Sequence, residues 1–267
     1  MIPIELLIMV VIGIFCGITA GIIGASGVMI VVSFLHLLLN FSMYTALGTS
    51  LGVDLITATI TTFVYHKHGN VDLGKGVWMM LAALVGIQVG GRIVVKTPET
   101  YLQGLFALFL FIPGVFLLRG ELGEIDKIRD GILDRFGIPT FHEMGDTKQK
   151  IVSIVSGVLI GTLCGFQGAG GGLMFLIALI VILDYPIHKA VGTSTLMMMA
   201  TAGVGAVTYG LLGAIDWLAV LLIGFIALPI NRIAAKEANK LPEKRLSQIG
   251  GVIFIMFGVL MLLFINL

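Results

Sequence analysis

Eight apolar runs dominate the chain: Ile4 to Ile23, Thr45 to Val64, Val77 to Val95, Leu102 to Leu118, Ile151 to Phe166, Leu196 to Leu212, Trp217 to Pro229 and Ile249 to Ile265. Each approaches or reaches the roughly 20 residues that carry a helix across the hydrocarbon of a bilayer. Two shorter runs, Val28 to Leu39 and Leu173 to Leu183, fall below that length. In hydrocarbon every backbone N–H and C=O has to find its partner within the protein, so such runs fold as helices. Of 267 residues, 58% are hydrophobic and only 12% charged, and the mean hydropathy is +1.09; a water-soluble domain could not hide that much apolar surface. The expected class is an all-α integral membrane protein whose constant partner is the lipid bilayer. The net charge of +1 gives no reason to expect a nucleic-acid partner. Met1 to Glu5 carries no basic segment and no cleavage-like site, so the first run reads as a retained span rather than a signal peptide. Cys16 and Cys164 lie in apolar helical stretches without metal or redox spacing and read as small hydrophobes, so neither metal nor cofactor is expected.

Shifting the sequence on itself by 144 positions superimposes Gly17, Gly21, Gly24, Ala25 and Gly27 on Gly161, Gly165, Gly168, Ala169 and Gly171. The same shift sets Ala46-Leu-Gly-Thr-Ser50 on Ala190-Val-Gly-Thr-Ser194, and continues through Tyr65/Tyr209, Gly69/Gly213, Asp72/Asp216, Pro98/Pro242 and Gly114/Gly258. Chance matches of Leu, Ile or Val are frequent in so apolar a chain; a constant register of Gly, Thr-Ser, Tyr, Asp and Pro is not. The chain reads as an internal duplication, with residues 1–118 as one unit, 119–150 as a linker and 151–267 as the second unit. Each unit contains a long helix, a glycine-rich break, a short helix and three further spans.

Five elements are an odd number, so the units are expected to lie upside down relative to each other. Charge tests this. If the long and short helices of each unit form a hairpin, 14 of the 16 Lys and Arg fall on one side, leaving Arg92 and Lys96 opposite; a parallel arrangement splits them 8 to 8. The positive-inside rule favours the hairpin, with both termini outside and the linker cytoplasmic. In that linker Ile125, Ile128, Ile132, Leu133 and Phe136 recur at helical spacing among charges, the pattern of an amphipathic helix on the membrane surface.

Gly13, Gly17 and Gly21, with Gly157, Gly161 and Gly165, recur every four residues and fit close helix packing. The next stretches, Gly24-Ala-Ser-Gly27 and Gln167-Gly-Ala-Gly-Gly-Gly172, are too dense in glycine to stay helical. They stand directly before the short helices, so each unit offers unpaired N–H groups at a helix N-terminus. Each such end carries about half a positive charge, and two facing ends suit a small monoanion without a buried Lys or Arg. The expected binding residues are Gly24, Ala25, Ser26 and Gly27 from the first break and Gln167, Gly168, Ala169, Gly170 and Gly171 from the second. Thr49, Ser50, Thr193 and Ser194 are candidate hydroxyl donors, or else bond to neighbouring helices or the preceding turn.

The duplicated break, followed about twenty residues on by Ala190-Val-Gly-Thr-Ser194, resembles the TauE/SafE family of sulfite and organosulfonate exporter-like permeases across nearly the whole chain outside the linker. The resemblance implies a bacterial or archaeal inner-membrane permease moving small sulfur-containing or carboxylate anions, outward. The first half reads Gly-Ala-Ser-Gly-Val where the second reads Gly-Ala-Gly-Gly-Gly, so the two half-sites are not equivalent.

Asp54 and His36 are the clear ionisable residues within the spans, where charge is costly and marks function by default. They align with Met198 and Ile180, outside the repeated pattern. Asp54 is a candidate carrier of a coupling proton or cation, or a neutral acid hydrogen-bonded near Thr57 or Ser50; His36 reads as packed or interfacial. His66-Lys-His68 reads as a solvated loop, and Asp72 and Asp216 as helix N-caps. No cluster of nucleophile, acid and base is present at one depth, so an enzyme is not expected. The leading expectation is an exporter of small anions such as sulfite, sulfoacetate or related carboxylates. The alternatives are a proton- or cation-coupled importer of a similar anion, and a scaffold subunit with no polar centre. A homodimer is a candidate assembly.

Overall fold

The computed structural model describes residues 3–23, 26–74, 76–118, 141, 144–183, 185–238 and 243–263. Among them are ten α-helices: α1 (Pro3–Ile23), α2 (Val28–Leu39), α3 (Met43–Lys67), α4 (Val77–Val94), α5 (Glu99–Leu118), α6 (Asp146–Gln167), α7 (Gly172–Val181), α8 (Ile187–Leu211), α9 (Trp217–Ala238) and α10 (Glu243–Leu263). Six of these, α1, α3, α4, α6, α8 and α9, are long and apolar enough to cross a membrane, so the protein is an all-helical, multi-pass membrane protein. The sequence reading had eight such runs. The other two fall in α5 and α10, within which Glu99–Phe111 and Gly251–Leu263 are the apolar stretches described. The expected amphipathic helix of the linker lies outside the described residues, as do Gly24 and Ala25.

Helix boundaries repeat the register of the glycines. α3 and α8 both have 25 residues and begin 144 positions apart; α2 and α7, and α5 and α10, begin at the same offset. The principal helix pairs all join one half to the other: α1 with α9, α6 with α4, α3 with α8 and α5 with α10.

Both glycine stripes lie at such contacts. A Cβ on Gly13, Gly17 or Gly21 would meet, in turn, Ile226, Ala227 O and Asn231 O of α9; on Gly157, Gly161 or Gly165 it would meet Met79 O, Ala83 O and Ile87 O of α4. In each case residue numbers rise together, so the paired helices are parallel. Gly205 instead faces Leu51 while Gly203 faces Leu55, and Gly251 faces Leu118 while Gly258 faces Phe111. Equivalent helices of the two halves, α3 with α8 and α5 with α10, are therefore antiparallel.

α3 and α8 form the centre. Their spanning segments are 67% and 61% buried, against 28% for α6, whose outer face presents Ile151, Val155 and Leu159. Exposed apolar side chains on α1, α4 and α6 are what lipid requires.

The contact between halves is reciprocal. The Asp216 N–H donates to Thr49 Oγ1 at 3.0 Å, and the Asp72 N–H donates to Thr193 Oγ1 at 3.0 Å. Asp216 also caps α9 through Oδ1, which accepts the Ala219 N–H at 2.9 Å; Asp72 instead makes a turn with the Gly74 N–H and lies 3.8 Å from Lys189 Nζ. A Cβ on Gly48 would fall 1.9 Å from Ala214 O, and one on Gly192 would fall 1.9 Å from Asn70 O. Gly48→Ala and Gly192→Ala are therefore each expected to destabilise the detergent-purified protein by about 1–3 kcal/mol, read as a lowered thermal midpoint. Gly203→Ala, whose Cβ would find Leu55 at an ordinary 3.5 Å, is expected to leave that midpoint unchanged or raise it.

Candidate functional site

Both glycine-rich breaks arrive at the same side chain. Asp54, on α3, is fully buried. Its Oδ1 accepts the Gly27 N–H at 3.1 Å, and its Oδ2 accepts the Gly170 N–H at 3.1 Å together with the Ser26 hydroxyl. Ser26 Oγ itself accepts the Val28 N–H at 3.1 Å, which leaves its own hydrogen for Asp54. Three donors thus meet two oxygens, the pattern that holds a carboxylate. Ser26 and Gly27 immediately precede α2, and Gly170 lies two residues before α7. The partial positive ends of both short helices therefore bear on one carboxyl group.

Backbone torsions explain the glycines of the second break. Gly168 has φ +61° and Gly171 φ +81°, left-handed conformations that glycine adopts without strain. The first ends α6, and the second starts α7. Between them Ala169 is buried and Gly170 faces Asp54. A Cβ on Gly170 would lie 2.6 Å from Met198 Cγ and 3.2 Å from Asp54 Oδ2. Neighbouring helices fasten the loop. Ser50 donates to Gly168 O at 2.6 Å, and Thr201 donates to Gly170 O at 2.7 Å.

Ser26, Gly27, Gly168, Ala169, Gly170 and Gly171 lie around or beside this centre. Thr49 and Thr193 lie elsewhere, engaged with the backbone of Asp216 and Asp72. Ser194 donates back along its own helix to Val191 O at 2.8 Å. Gln167 Oε1 is buried and lacks a hydrogen-bond partner. Asp54 bonds neither Thr57 nor Ser50 through its carboxylate; Thr57 donates to Val53 O at 3.1 Å instead. His36 is tied down at the end of α2, through Phe41 O at 2.7 Å and through Gln103. Thr201, one turn after Met198, matches Thr57 at the 144-residue shift, a signal in the register that sequence reasoning passed over.

Two surface crevices complete the geometry. One, of about 370 Å³, lies between α4 and α8; the other, of about 600 Å³, lies between α9 and α3. Every lining position of the first corresponds, 144 residues away, to a lining position of the second. Since α3 and α8 are antiparallel, the crevices open at opposite ends of the bundle. Their charges differ. Gln88, Arg92, Leu211 and Leu212 of the first are replaced by Arg232, Lys236, Lys67 and His68 in the second. The basic crevice is at the linker end, since α5 starts where α3 starts, with Glu99 Oε1 accepting the Met43 N–H at 3.2 Å.

Comparison with known proteins gives the family of the chain. The sulfite exporter TauE/SafE family model matches residues 9–261. "Probable membrane transporter protein YunE" of Bacillus subtilis is 24% identical over 262 residues, spanning 95% of this chain and 96% of that protein. "Probable membrane transporter protein YdhB" of the same organism is 28% identical over 229 residues, 85% and 88% of the two chains. A probable membrane transporter of Methanocaldococcus jannaschii is 25% identical over 272 residues, 96% and 95% of the two. No solved structure matches. The chain is a membrane transporter belonging to the sulfite exporter TauE/SafE family.

Proposed function

We propose that this transporter is a permease for small anions, sulfite, sulfonates such as sulfoacetate or related carboxylates, which bind where the two glycine-rich breaks converge. The observation that carries this reading is the buried cluster of donors from both halves, the Ser26 hydroxyl and the N–H groups of Gly27 and Gly170, gathered on a negatively charged group. Three donors, shared here between the two carboxyl oxygens of Asp54, match in number the three-oxygen head of a sulfonate or of sulfite. Gly24, Ala25, Gln167, Gly168, Ala169 and Gly171 complete the proposed site. Thr49 and Thr193 tie neighbouring helices around it, Ser50 fastens the second break, and Ser194 bonds within its own helix.

The proposed organisation is two five-helix units, residues 1–118 and 151–267, in inverted topology in the cell inner membrane. The linker 119–150 is cytoplasmic and both termini are outside. Support comes from the antiparallel packing of α3 on α8 and α5 on α10, and from the basic residues gathered at the linker end. Anions would load from the basic crevice of Lys67, His68, Arg232 and Lys236. Outward movement of a monoanion is electrically downhill by about 2.3 kcal/mol per 100 mV, so export needs no coupling ion. A second reading, proton- or cation-coupled uptake of a similar anion, is favoured by the place of Asp54 at the centre of the donors.

Gly170→Val keeps the backbone N–H but drives a side chain into Met198 and Asp54, and the displaced donor is expected to weaken binding of sulfite and sulfoacetate to purified protein about ten- to a hundredfold by isothermal titration; undiminished binding by the folded variant places the site elsewhere. Arg232→Gln with Lys236→Gln is expected to raise KM several-fold for anion loaded from the linker side of oriented vesicles, with kcat little changed and the difference shrinking as salt rises.

A further inference from the structure

Asp54 presents a puzzle for an anion carrier. It is a fully buried acid whose three hydrogen-bond partners are neutral, Ser26, Gly27 and Gly170. The donors that suit a transported anion are already taken by an anion belonging to the chain. The repeat makes this more pointed, because the equivalent position in the second half is Met198, which packs against Gly170 without charge. One carboxylate therefore serves both helix ends.

We propose that Asp54 is a built-in competitor of the transported anion, and that the anion takes over the helix-end donors only as the Asp54 carboxylate accepts one proton from the medium. This rests on the reading of the glycine-rich breaks as the anion site. Two like charges about 4 Å apart in a protein interior repel enough to weaken binding by about a thousandfold. Taking up a proton is the less costly route wherever the pH lies within about three units of the carboxyl's titration. Among the described residues no cation pairs with Asp54. The titratable side chains that bear on Asp54 are the thiols of Cys16 on α1 and Cys164 on α6. The residues that α8 sets beside Gly170, Met198, Thr201 and Ala202, carry no charge.

The balance of the cycle follows. The loaded carrier holds one anion and one proton, and the empty carrier holds the Asp54 carboxylate. A monoanion is then moved with its proton and no net charge, so this cycle replaces uncoupled, electrically driven export with the coupled reading, and the membrane potential drops out. Net flux follows the anion gradient together with the pH gradient: inward when the outside is more acidic, outward only while the interior anion excess exceeds that gradient.

Methanesulfonate and isethionate keep a constant charge between pH 5 and 8, so any pH dependence of their binding belongs to the protein. Calorimetry on detergent-purified full-length protein is expected to show affinity falling up to about tenfold per pH unit, with uptake of up to one proton per anion bound. Asp54→Asn is expected to bind both sulfonates at least as tightly at pH 8, without pH dependence or proton uptake. In proteoliposomes, a pH gradient is expected to drive sulfonate accumulation by the wild type and not by Asp54→Asn. If wild type binds with no proton uptake, or if Asp54→Asn keeps the wild-type pH dependence, the coupling proposal is overturned while the anion site stands. Loss of sulfonate binding in a folded Asp54→Asn also overturns it, marking Asp54 as a structural cap. Absence of binding to wild type at every pH, with Gly170→Val indistinguishable, overturns the site reading itself.

Discussion

A carboxylate in the interior of a membrane protein has to be solvated by the protein. Here that solvation is done by backbone amides. Asp54 collects the Gly27 and Gly170 N–H groups and the Ser26 hydroxyl, and the rest of the architecture brings those donors together. The two short helices begin at the centre of the bundle, the breaks just before them are rich in glycine, and Ser50 and Thr201 hold the carbonyls of the second break from α3 and α8. Helix ends can carry this load because their first N–H groups have no partner within the helix.

Convergence of this kind needs close helix approach. The glycine stripes of α1 and α6 let α9 and α4 come so near that an added Cβ would strike backbone carbonyls at 2.7 Å beside Gly17 and 2.2 Å beside Gly161. The reciprocal bonds of Thr49 with Asp216 and of Thr193 with Asp72 tie the loop before α9 to α3 and the loop before α4 to α8. Each of these contacts has a counterpart made by residues 144 positions away. The two surface crevices are lined at positions 144 residues apart while differing in charge and size. Geometry is therefore repeated and electrostatics is not. That division suits a carrier whose two faces meet different solutions.

Much of this was legible in the residues. Apolar run length set the helical class, and the 144-residue register anticipated equivalent helix starts. Glycine density marked where the helices break. The four-residue spacing of Gly13, Gly17 and Gly21 pointed to a packing face, although which helix it packs on was not readable. The hydroxyls of Thr49 and Thr193 looked like candidate ligands because they sit at equivalent positions, yet they bond the backbone of Asp216 and Asp72. The same shift that pairs the threonines also pairs the aspartates, so a signal was present; nothing in a linear register says that the two pairs touch. The partners of Asp54 were harder still. The acid breaks the repeat, and its donors stand 28 and 116 positions away.

What the sequence determined alone is what local chemistry dictates: apolar runs must be helices in lipid, clustered glycines end them, and a duplicated pattern builds duplicated elements. Tertiary structure alone decided which charges and dipoles meet. Such a meeting depends on the relative placement of helices distant in sequence, and an unrepeated aspartate carries no periodicity from which its partners can be read. Packing of α3 between the two halves is what delivers Asp54 to both helix ends at once.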